Sequence, residues 1–188
     1  MKDDNSSVWG VVGVIVVIGI IIWSVVSSSQ QQQKADYTAT IENAVTDINS
    51  QIDDLYSSAK DTASAIDDEC SWQSDELSGN IGDVCSSNTS QYTLDSGSDY
   101  ALDEDTYTSM LDDGTSIDDV MSQLVDDANA SYGRIIDTMD SMTSALNDQC
   151  SWIEDNIDDE IASECYDAGD DFSYDSRSPF DTYDYLES

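Results

Sequence analysis

The stretch Ile41–Cys70, IENAVTDINSQIDDLYSSAKDTASAIDDEC, decides the fold. Ile41, Val45, Ile48, Ile52, Leu55, Ala59, Thr62 and Ile66 recur at alternating spacings of four and three, and Asp and Ser fill most places between them. Such spacing puts the apolar residues on one seam of a helix. No Pro or Gly interrupts the chain from Ser24 to Ser78, so a single long helix is expected there.

Eighty residues further on, Met121, Val125, Ala128, Tyr132, Ile135, Met139, Met142 and Leu146 repeat the seam at nearly every place. The second helix has a start signal in Ser116, an N-cap residue, followed by Asp118 and Asp119 at the positive end of the helix dipole. Its apolar stripe is widened by Ile117, Val120, Leu124, Ile136 and Ala145, which suits a helix with more than one neighbour. Aligned without a gap, 51–85 and 131–165 share nine identities, among them both cysteines and the tryptophan of CSWQSDELSGNIGDVC (Cys70–Cys85) and CSWIEDNIDDEIASEC (Cys150–Cys165). The joint recurrence of cysteines, tryptophan and heptad phase identifies an internal duplication.

The four cysteines cannot pair along a straight rod, because fifteen residues of helix separate two atoms by about 22 Å and disulfide Cα atoms lie within about 7 Å. A duplicated unit carrying its own bonds pairs Cys70 with Cys85 and Cys150 with Cys165; the two cross-repeat connectivities stay open. The SGNIG turn at Ser78–Gly82 and a capping box of Ser151 with Glu154 place a corner at each Cys-Ser-Trp, with Trp72 and Trp152 packed in the corner core. Zinc ligation would call for shorter cysteine spacings and often His, and the chain has no His. Without His, Cys-His and Ser-His-Asp nucleophiles are excluded as well. No catalytic residue, metal site or cofactor is therefore expected, and acidic stretches such as LDDGTS miss the calcium-loop pattern.

Val8–Val26, VWGVVGVIVVIGIIIWSVV, carries no charge and as a helix reaches about 28 Å, close to the thickness of a bilayer core. With Trp9 and Trp23 at its ends as membrane-interface residues, it reads as a single transmembrane helix, and 1–7 as a short cytoplasmic tail. Lys2 and Lys34 flank it on opposite sides, so charge does not orient it; the paired cysteines suit an oxidising exterior for the remainder. Two sequons on that side, Asn88 and Asn129, are candidate glycosylation sites.

The chain holds 41 acidic residues, 33 of them Asp, against 5 Lys and Arg, for a formal charge of −36. Self-repulsion of that size is relieved in molar salt, where the Debye length falls to about 3 Å. The Asp-rich, Lys-poor composition resembles that of proteins from extreme halophiles, a haloarchaeon or its membrane-containing virus. Nucleic acid is disfavoured as a partner, since no basic patch exists to neutralise phosphates.

The expected protein is all-α: a transmembrane helix (8–26), a first repeat of stalk helix and cysteine cassette (27–85), a linker (86–116), a second repeat (117–165) and an acidic aromatic tail (166–188) without order. Helices packed antiparallel are the default for one chain, although a thirty-residue linker, up to about 100 Å extended, also permits parallel ones. The expected role is non-enzymatic: a membrane-anchored surface or envelope protein, structural or for attachment. Its partners would be the lipid membrane and, through the heptad faces, further copies of itself or other envelope proteins. The alternative is an extracellular helical sensor acting with a membrane partner.

Overall fold

In a computed structural model, residues 6–77, 81–170, 172, 174 and 178–186 are described, with side chains from residue 32 onward except those of 170 and 183. The described chain is all-helical and contains two disulfides. Helix α1 (Ser6–Glu76) is followed by α2 (Ile81–Thr89), a 3-10 turn at Gly97–Asp99, α3 (Glu104–Asp112), α4 (Ile117–Asn156), α5 (Asp159–Asp170) and the short α6 (Tyr183–Leu186). Residues 8–26 lie on the backbone of α1, but their side chains, Trp9 and Trp23 included, fall outside the described set. Among the described residues no helix is long and apolar enough to cross a membrane.

Every seam residue from Ile41 to Ile66 is buried, as is every one from Met121 to Leu146. The two seams meet each other inside a single chain. The heptad faces, from which assembly between chains was expected, are thus covered within the chain. No carboxylate is buried among the described residues, so their charge stays in water.

The long helices run parallel, not antiparallel. Lys34 on α1 pairs at 2.7 Å with Asp112, just before α4 begins, while towards the far ends of both helices Gln73 meets Gln149. A parallel pair requires a connection that travels back along the helices, and residues 86–116, expected as a linker, do this with structure of their own. From Cys85 the chain descends past Tyr56, whose hydroxyl donates to the Asp95 carbonyl at 3.2 Å, and past Asn49, bonded to Leu102. It reaches the level of Lys34 as α3, about 54 Å of helix below Cys70. There α3 ends in a Schellman motif: Gly114 takes φ +94°, its N–H donates to the Leu111 carbonyl, and that of Thr115 to the Met110 carbonyl. Ser116 then caps α4, accepting from the Asp119 N–H at 3.2 Å and donating to the Asp119 carboxylate at 2.7 Å.

The tail is a second correction. Helix continues through Asp170, Phe180 is buried, and α6 packs on both long helices. Absence of heptad period concealed this, because the segment binds as a returning chain and presents isolated aromatics.

Candidate functional site

At the end remote from Lys34, α1 with α2 and α4 with α5 form two helical hairpins, which pack into a four-helix cap through α2 on α4 and α5 on α1. Cys70 bonds Cys85 with Cα atoms 5.3 Å apart, and Cys150 bonds Cys165 with 5.6 Å. All four cysteines are buried.

The reversals are not at Cys-Ser-Trp. Continuing the heptad phase beyond Ile66 puts Cys70 and then Gln73 on the seam, so α1 runs six residues past its cysteine and α4 likewise reaches Asn156. The Ser151 box is not used as a cap. Asp158 starts α5 instead, its carboxylate accepting from the N–H of Glu160 at 2.8 Å and of Ile161 at 3.4 Å. In the first hairpin Ser78–Asn80 lie outside the described residues, and Gly82 follows where a Cβ would collide with the Ser74 backbone.

Trp72 and Trp152 consequently do not pack in a core. Two residues past a seam cysteine, each is turned about 200° around its helix, and they are 36% and 46% exposed. The cap interior holds a polar pair in their stead. Gln149 donates to the Gln73 amide oxygen at 3.4 Å and to the Ile81 carbonyl at 3.3 Å, and Gln73 donates to Glu69 at 3.0 Å and to the sulfur of Cys165 at 3.3 Å. This satisfied network ties the first hairpin to the second disulfide and sets their register.

Below the cap lies a set of contacts that is exchanged between the halves. Asn49 on α1 grips Leu102 of the linker by two bonds, N–H to Oδ1 at 2.8 Å and Nδ2 to carbonyl at 3.0 Å. Asn129 on α4 grips Phe180 of the tail in the same way, at 3.2 and 3.1 Å. Across the halves, the Tyr107 hydroxyl donates to Asp127 at 3.0 Å and that of Tyr185 to Asp47 at 3.2 Å. Asp47 and Asn49 become Asp127 and Asn129 by adding eighty; Leu102 and Tyr107 become Phe180 and Tyr185 by adding 78. Reciprocal contacts of this kind are the signature of two-fold symmetry, here within one chain. The duplication therefore extends through linker and tail, LDEDTY (102–107) corresponding to FDTYDY (180–185).

The clamps also set the electrostatics. Burial, with the Asp127 hydrogen bond, holds the Tyr107 phenol well above its ordinary range; burial, with the nearby Asp47 charge, pushes Tyr185 up to about 12. Tyr100 is raised too, chiefly by burial; it sits 5.8 Å from the Tyr56 ring and 4.9 Å below the Arg134 guanidinium, which donates to the Asp99 carbonyl. Among the described residues no group of three or more His, Cys, Asp or Glu side chains converges as a metal site would require.

The two sequons differ in setting. Asn129 commits both ends of its amide to the Phe180 clamp, whereas Asn88 is exposed on the last turn of α2. The clamp residues escaped the reading of the sequence, although the Asp47/Asp127 and Asn49/Asn129 identities lie just ahead of the aligned cassettes and could have revealed it. No protein-family model, curated protein or solved structure matches the chain.

Proposed function

We propose that the chain is a non-enzymatic, membrane-anchored surface protein of an extreme halophile or its virus, with an envelope-structural or attachment role. The observation that carries this reading is the continuity of the α1 backbone from the uncharged 8–26 segment into a disulfide-closed helical body. As one helix of 71 residues, α1 is about 107 Å long, so residues after 26 hold the cap well away from the bilayer. Two disulfides favour an oxidising exterior for that cap. The charge of −36, all of it solvated among the described residues, favours a saline one.

Assembly into an envelope layer would then use the outer surfaces, since the heptad seams are covered within the chain. Expression of the full chain in a haloarchaeal host, followed by membrane fractionation and proteolysis of intact cells in high salt, tests the reading. The protein is expected in the membrane fraction through alkaline washing, with its cap cleaved by external protease. Recovery in the wash, or a cap protected inside intact cells, would refute it.

A further inference from the structure

We infer that Asn88 bears an N-linked glycan with a neutral first sugar, seated in the groove between α2 and α4 against Trp152 and Tyr92, and that Asn129 bears none. The inference rests on the exterior placement proposed above. It begins from the accessibility of the two triplets. In Asn88-Thr89-Ser90 the acceptor asparagine and the third-position serine are both exposed, at a helix end where Ser90 N–H closes a turn on the Ser86 carbonyl at 3.0 Å. No hydrogen bond to a described residue holds the Asn88 amide. The intervening Thr89 faces inward and donates to the Cys85 carbonyl at 3.0 Å, so the disulfide hairpin presents its neighbours outward. In Asn129-Ala130-Ser131 the asparagine nitrogen already donates to Phe180, Ser131 is buried, and the triplet lies within α4.

The ground beside Asn88 matches a sugar. Two clefts meet at this residue and at Asp148 opposite it. One, of about 390 Å3, runs to Trp152 and Val84; the other, of about 500 Å3, runs past Tyr92 and the hydroxyls of Ser141 and Ser144. Both are of the size that receives small molecules, roughly 300–1,000 Å3. A pyranose has an apolar C–H face and a hydroxylated edge. An exposed indole suits the first, and serine hydroxyls with a carboxylate suit the second. Asp140 and Asp148 in the walls disfavour a sulfated or uronic sugar next to the asparagine. The seated glycan also covers Trp152, Val84 and Tyr92, which are otherwise among the most exposed large apolar side chains. Adding eighty to Asn88 gives Ala168, which has no acceptor, so the modification falls on one half only.

The attachment needs a polyprenyl-phosphate-linked saccharide as donor. The Asn88 Nδ2 attacks the sugar C1, the C1–O bond to phosphate breaks with its electron pair leaving on the lipid phosphate, and Nδ2 gives up one proton. The test uses full-length protein from haloarchaeal membranes, mapped by mass spectrometry without reduction. The Cys85–Tyr92 region is expected to carry a glycan with a neutral first residue, lost in Asn88→Gln, and the Asn129 peptide to be unmodified. Trp152→Ala should keep the glycan but expose it, raising its rate of release by an endoglycosidase several-fold. An unmodified Asn88 in protein whose disulfides are formed and whose cap is cleaved outside the cell overturns the inference and leaves the proposed function standing. A cap protected inside the cell overturns both. A glycan at Asn129, an acidic first sugar, or an unchanged release rate in Trp152→Ala overturns the seating.

Discussion

Asn49 and Asn129 each hold a returning segment through two hydrogen bonds to its backbone. At about 1 kcal/mol net per bond, Asn49→Ala should cost about 2 kcal/mol, and Asn129→Ala a similar amount, read as a fall in denaturant midpoint in high salt. Trp72→Ala and Trp152→Ala should each change stability by less than about 0.5 kcal/mol, because both rings stand outside the core. A buried tryptophan would lose about 3–5 kcal/mol, so the same measurement separates the two placements. Tyr185 gives a pH dependence. Its folded pKa is raised to about 12 from 10, so above pH 10 the unfolded chain releases a proton that the native chain retains. Stability is therefore unaffected by this group below pH 10 and falls as pH rises towards 12. Unfolding midpoints on either side of pH 10 should fall less in Tyr185→Phe.

The helical hairpins depend on their staples. Each disulfide joins residues fifteen apart, a loop for which cross-linking contributes about 3 kcal/mol by restricting the unfolded chain. Replacing either pair with Ser should lower the unfolding free energy by a comparable amount, read from denaturant unfolding in high salt, most of it from the hairpin concerned. The seam was legible in the sequence because heptad phase is a rigid rule that needs no knowledge of neighbours; helix rise excluded only a bond along a straight rod, and the pairing within each cassette, favoured by the duplication, was chosen among three connectivities by the structure. The place of the corner was misjudged. Ser151 and Glu154 satisfy a local capping pattern, but the seam that runs on through Cys150 and Ile153 has buried partners on α5, and tertiary burial outweighs one cap. Carrying the phase four residues beyond Ile66 would have found Cys70 inside and Trp72 outside.

At the scale of the molecule, a body with charge −36 and every described carboxylate in water is stressed by its own field. Raising salt from dilute to molar should increase the denaturant midpoint monotonically, by screening over a Debye length that shrinks to about 3 Å. A flat response would mean that the surface spacing of charge already suffices. The direction of the helices and the order in the linker and tail were hidden from the sequence. They rest on pairs such as Asn49 with Leu102 and Tyr185 with Asp47, which are 53 and 138 residues apart, and single polar contacts leave no period to read. The exchange of these contacts between the halves has a consequence for stoichiometry. Whatever recognises surface features common to both halves meets two copies on each chain. Saturation then takes two partners per chain, and a partner that is itself bivalent links successive chains into a lattice. A surface feature held by one half alone, Asn88 where the other has Ala168, makes the two ends of that bivalent unit unequal, and so gives the lattice a polarity.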